Sequence, residues 1–129
     1  MPHVVIEYSA NLETVVDFDA LVEAVRVAAV ETGVFPLGGI RVRAHCADHA
    51  AIADGDPAHA FVDATLKMGA GRDLETCRQA GAHVFAALSK ALDPAFAKTT
   101  VALSFEIREV HPELNWKRNS IHEALKQRA

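Results

Sequence analysis

Three residues of this chain have the types and positions to move a proton on an acidic substrate: Pro2, Arg41 and Arg72. A small residue at position 2 permits removal of Met1, which turns the proline nitrogen into a free secondary amine. An α-amino group titrates near ~8. Apolar surroundings or nearby cations lower that value by disfavouring the charged form, and an amine poised near neutrality is a suitable proton shuttle. Arg41 follows Gly38-Gly39-Ile40 and Arg72 follows Gly69-Ala70-Gly71. Each offers a planar, permanently charged fork for a carboxylate. Taken singly these signals are weak, because Met-Pro starts are common and an isolated arginine is more often a surface ion-pair partner. Their weight depends on the elements that carry them.

His3 to Tyr8 is β-branched in its middle and runs into Ser9-Ala10-Asn11, the pattern of a strand entering a loop. That strand holds the terminus at a sheet edge and keeps Pro2 from fraying into solvent. Phe18, Leu21, Val22, Val25, Ala28 and Ala29 then share one helical face, with Asp17 placed to cap its start and Gly33 to end it. After the Phe35-Pro36-Leu37-Gly38-Gly39 turn, Ile40, Val42, Ala44 and Cys46 alternate with Arg41, Arg43 and His45, a half-buried strand with a cationic second face. The pattern repeats as a strand over Phe61 to Met68, a turn at Gly69-Ala70-Gly71-Arg72, and a helix carrying Leu74, Cys77, Gly81, Val84, Phe85, Leu88 and Leu92. A strand over Val101 to Ile107 completes it. The fold class expected is α/β, two consecutive β-α-β units forming a four-stranded sheet, and right-handed crossovers put both helices on one face. The units span about 2–46 and 59–108 of a single domain covering 1–129, with a C-terminal extension at 109–129. That extension reads as a loop and a short helix from about Trp116, able to pack on a neighbour. The open sheet face carries Arg41, Arg43, Asp63, Lys67 and Glu106, a mixture that calls for solvent or another subunit.

Other candidates are weaker. His45, Asp48, His49 and His59 cluster in sequence, and His45 and His49 would share a face if the segment were helical. His45 ends a strand, however, and loop follows, so no metal is expected. His111 precedes Pro112 in a turn and suits a packing role. Cys46 and Cys77 fall on apolar faces and read as buried thiols, neither a disulfide nor a nucleophile. Phe35 and Trp116 are candidate pocket walls, and Asp63 and Glu106 candidate partners for arginines. Gly69-Ala70-Gly71-Arg72 is too short to mark a phosphate site.

Composition sets the outer bounds. The 129 residues suit one compact domain, half of them are apolar, and the net charge of -4 comes without any run of Lys and Arg that would track nucleic acid. The start has no basic segment and no stretch reaches transmembrane length, so a cytoplasmic protein without membrane contact is expected.

Over nearly its whole length the chain resembles the 5-carboxymethyl-2-hydroxymuconate isomerases of the tautomerase superfamily. The residues that carry the resemblance are Pro2-His3, Thr32 to Arg43, Ala53-Asp54-Gly55, Ala60-Phe61-Val62, Thr65 to Arg72, Ala102 to Ile107 and His111 to Lys117. The resemblance implies a homotrimer of tautomerase-like subunits with sites near subunit boundaries. It also implies cofactor-free isomerisation of a multi-carboxylate dienol from homoprotocatechuate breakdown. Carried over to this sequence, Pro2 is general base and acid, and Arg41 and Arg72 bind or polarise the substrate. His3 follows the proline without an assigned role, and the stretch from His45 to His59 is where substrate fit could differ. Three alternatives stay open: another tautomerase activity on an unsaturated or 2-oxo acid, a non-catalytic small-molecule-binding module, and a metal-dependent lyase.

Overall fold

The computed structural model describes residues 2–128. Strand β1 (His3–Ser9) leads into helix α1 (Phe18–Glu31), and the chain returns as β2 (Arg41–Ala47). The second unit runs through β3 (Ala60–Gly69), α2 (Leu74–Ala91), a short α3 (Asp93–Lys98) and β4 (Val101–Val110), before α4 (Ile121–Arg128) closes the tail. Strand order is β2-β1-β3-β4, with β1 parallel to β2, β3 parallel to β4, and the halves joined antiparallel through β1 and β3. This is the doubled β-α-β sheet that the hydrophobic periodicity predicts.

Each long helix starts where an aspartate offers its carboxylate to an otherwise unpaired backbone N–H. Asp17 accepts from Ala20 N at 3.0 Å and Asp73 from Thr76 N at 2.7 Å, caps that contribute ~1 kcal/mol each. Gly33, at φ 67°, takes the left-handed conformation that lets the chain leave α1. On one sheet face Val4, Ile6 and Tyr8 of β1 join Val62, Ala64 and Leu66 of β3 against Leu21 and Val25 of α1 and Val84 and Leu88 of α2. Each large side chain buried there contributes ~1.5–3 kcal/mol, which fixes the strand register and therefore what points the other way.

The other face is laid out by that register. Arg41, His3, Lys67 and Arg108 stand side by side across the four strands at the end where β1 begins. Farther along, His45, Glu7, Asp63 and Ser104 form a parallel row with carboxylates at its centre. The open face is thus polarised, cationic at the Pro2 end and acidic beyond.

Several sequence expectations need correction. Helix α3 was not anticipated; Pro94 sits in its first turn, where a missing N–H costs nothing. Helix α4 begins at Ile121 and not near Trp116, because the Asn119 side chain accepts from Ile121 N at 2.7 Å and caps it there. Within the chain the tail is tied to the turn before β2, where Asn119 Nδ2 donates to Gly38 O at 2.8 Å, and His122 lies so close that a Cβ at Gly38 would meet its Nδ1 at 2.6 Å. Cys46 is exposed, not buried, since β2 is an edge strand covered on one flank only. Partial desolvation and the Asp48 carboxylate push its thiol up, which keeps it a poor nucleophile. Cys77 is buried as expected. Among the described residues no helix is long and apolar enough to cross a membrane.

Candidate active site

Pro2 is fully buried, and its carbonyl accepts from Arg41 N at 3.1 Å, extending the β1–β2 pairing by one step. The antiparallel register sets His3 beside Lys67, so the proline lies where β3 is finishing. Both the last strand pair and the start of β2 therefore clamp the residue. Met1, whose removal the proline chemistry requires, lies outside the described residues.

Arg41 points to the open face, half-buried, with Nη1 3.1 Å from His3 Nε2. Arg43 brings its Nη1 to 3.1 Å from the same ring's Nδ1. A neutral imidazole has one acceptor nitrogen, so only one arginine at a time is hydrogen-bonded to the ring. Desolvation, followed by the charges of Lys67, Arg41 and Arg43, holds His3 below the ordinary histidine range. The ring is thus a neutral spacer between two guanidinium groups, a role that sequence reading did not assign.

Arg72 reaches the same end of the sheet from the β3–α2 turn. Its Nη1 donates to Gly69 O and its Nη2 to Val34 O, both at 3.1 Å, and its guanidinium carbon lies 5.4 Å from the centroid of the Phe35 ring. Two of its five N–H donors are thereby engaged, and the remainder have no hydrogen-bond partner among the described residues. Phe35 is a floor beneath this arginine, only 9% exposed, whereas Trp116 is 87% exposed.

A cleft of about 350 Å³ opens beside Pro2's neighbours His3 and Arg41, lined also by Lys67, Val110 and the tail residues Asn115, Trp116, Lys117 and Arg118. Lys67 was legible only as a polar-face residue, and Lys117-Arg118 only as part of the tail. Their convergence depends on the tail's path from β4 back to Gly38. None of the cleft's cations is within ion-pair distance of a carboxylate among the described residues.

Other candidates stay apart from this place. Asp63 accepts from Ser104 Oγ at 2.6 Å and Glu106 pairs with Arg108 at 2.8 Å, so neither orients Arg41 or Arg72. The 48–59 loop leaves from the opposite end of the sheet, where Ser9 pairs with Ala47 and Ala60 with Val101. It therefore does not shape the cleft of its own subunit. Within it His59 is held by Asp54 Oδ1 at 2.9 Å and by Thr100 Oγ1 at 2.6 Å, and among the described residues no three metal-ligating side chains converge. His111 is exposed and accepts from Glu113 N at 3.1 Å, a bond that shapes its turn.

The doubled β-α-β sheet is the fold of the tautomerase superfamily, and solved structures bear out that fold. The family model for 5-carboxymethyl-2-hydroxymuconate isomerase matches residues 2–125. A relative from Escherichia coli, 5-carboxymethyl-2-hydroxymuconate Delta-isomerase, is 42% identical over 126 residues, covering 98% of this chain and 100% of the relative. A crystal structure of a 5-carboxymethyl-2-hydroxymuconate delta-isomerase superposes with TM-score 0.91 at 33% identity, over 97% of this chain and 93% of the other. That of a 5-carboxymethyl-2-hydroxymuconate isomerase from Deinococcus radiodurans R1 gives TM-score 0.90 at 35% identity, over 96% and 93%. The chain belongs to the 5-carboxymethyl-2-hydroxymuconate isomerase family and is an enzyme of the isomerase class.

Proposed function

We propose that this enzyme converts 5-carboxymethyl-2-hydroxymuconate to its unsaturated 2-oxo isomer, as a step in homoprotocatechuate degradation, with Pro2 carrying the proton. The observation that supports this reading most is the tie between Pro2 and Arg41 at the edge of a cleft full of unpaired cations. Once Met1 is removed, burial and the neighbouring cations keep the proline amine neutral and therefore basic. It takes the proton of the 2-hydroxyl as the conjugated electrons shift, and it returns a proton to a carbon farther along the chain, so the atoms balance without any other reactant. Arg41, from the open face, and Arg72, with its free donors, hold carboxylates and stabilise charge that develops on the 2-oxygen. Phe35 stiffens Arg72 from below, and Trp116 supplies a wall on the tail side. The chemistry asks for no metal, nucleotide or covalent nucleophile.

The same reading makes the enzyme a homotrimer that acts in the cytoplasm. Two free cysteines suit a reducing compartment, and an open, polarised sheet face with unpaired edge strands suits an assembly. The direct test follows ultraviolet absorbance during ketonisation of the dienol, with Met1-free protein beside its Pro2→Ala variant. Conversion by the parent with a loss of about 10²-fold or more in the variant is expected. Equal rates in both proteins would remove Pro2 from the mechanism, and no acceleration by Met1-free parent would remove the substrate.

A further inference from the structure

The tail between β4 and α4 is a strap fastened at both ends. It leaves β4 at Val110, which pairs with Gly69, and it is pinned at Asn119, whose side chain donates to Gly38 O at 2.8 Å. Near its start, Asn115 Nδ2 donates to His111 O at 2.9 Å, which tightens the turn. Between these anchors Lys117 and Arg118 come to line the same cleft as Lys67 and Arg41. The chain has 17 acidic side chains against 13 Lys and Arg, yet among the described residues no acidic one lines this cleft. Like charges gathered without counter-charges repel one another, and an anionic ligand relieves that repulsion.

We propose that Lys67, Lys117 and Arg118 form a carboxylate subsite beside Arg41, one that selects tricarboxylate over dicarboxylate dienols. The proposal rests on the isomerase reading above and adds to it the residues that recognise the substrate's outlying acid group. A 5-carboxymethyl-2-hydroxymuconate molecule has three carboxylates, the two of the muconate chain and that of the carboxymethyl arm. Arg41, whose N–H donates to the proline carbonyl, and Arg72, at the same end of the sheet but lining the α2–β4 groove, answer the chain that undergoes chemistry. The strap cations, on the open-face side of Arg41, answer an acid held away from the reacting carbons. Specificity then arises as a difference between two substrates that share the reacting part and differ by one charge.

The test compares the tricarboxylate with 2-hydroxymuconate, the same dienol without the carboxymethyl arm. In a Lys117→Gln/Arg118→Gln variant the ratio of kcat/KM between the two substrates should fall on the order of tenfold relative to the parent, as expected for a lost charge-assisted contact. The Lys117→Arg/Arg118→Lys variant should restore it. An unchanged ratio would overturn the subsite, including the case where the variant is simply less well folded and loses both activities alike. If the Met1-free parent converts neither dienol, the isomerase reading fails by itself. The subsite is then decided by calorimetric titration with propane-1,2,3-tricarboxylate. Salt-sensitive binding that the glutamine variant weakens on the order of tenfold supports it, and equal affinity in parent and variant overturns it.

Discussion

Arg41 and Arg72 arrive at one end of the sheet by different routes, and the difference predicts different consequences of losing them. Arg41 is fixed to the fold through its backbone, whose N–H donates to Pro2 O, while among the described residues its side chain hydrogen-bonds only the His3 ring and, at 3.5 Å, the Gly39 carbonyl. Arg72 uses its side chain as a tie between Val34 O and Gly69 O, joining the end of the first helix's loop to the end of β3. Removing the Arg41 side chain should therefore cost activity, about 10²–10³-fold in kcat as for one lost donor to a developing oxyanion, with little change in thermal stability. Arg72→Ala should cost activity and also ~1–3 kcal/mol of stability, because two half-buried carbonyls lose their partner. Paired kinetic and thermal-unfolding measurements on both variants check this. If the two lower stability equally, the distinction between a free fork and a tied one is wrong.

The elements that hold these residues were largely legible from the chain itself, since alternation in His3–Ser9 and Val101–Val110 and the helical stripes of α1 and α2 match what folds. The aspartate caps and the glycine exit from α1 were legible too, because they act within a few residues of themselves. What sequence reading missed depended on distant segments meeting. The strap residues Lys117 and Arg118 become part of a site only because Asn119 binds Gly38, a contact across 81 positions. The exposure of Cys46 follows from β2 being an edge, and the remoteness of the 48–59 loop follows from strand direction; neither is written in local spacing. Gly38 is the element-scale test of how the tail is seated. A Cβ there would stand 2.6 Å from His122 Nδ1, so Gly38→Ala should destabilise by ~1–3 kcal/mol, the range for overpacking. Combining it with His122→Ala should recover most of that loss in thermal unfolding. A double variant no more stable than Gly38→Ala alone would mean that the backbone at Gly38, not the room above it, sets the docking of α4.

For the whole molecule the governing fact is that one chain does not cover its own surface. A groove of about 730 Å³ runs between α2 and β4, with Leu74 72% and Phe85 40% exposed along it and Phe105 and Ile107 in its floor. β4, ten residues long, is a sheet edge with a row of unpaired backbone groups, an arrangement that pairs with another chain unless something blocks it. The charged residues of its lining are Arg72, Arg78, Glu106 and Glu109, around an apolar strip of Leu74, Phe85, Phe105 and Ile107. Burying such apolar area contributes roughly 25 cal/mol per Å², which favours assembly over an open monomer. The trimeric reading therefore predicts a sedimentation mass three times that of the 13.9 kDa chain, and a Phe85→Glu variant that dissociates while keeping its helical circular dichroism. Loss of turnover on dissociation would place part of each site across a subunit boundary. A dissociated variant that retains full turnover would make each chain's proline and cleft sufficient on their own, and a parent that sediments as a monomer would refute the trimer outright.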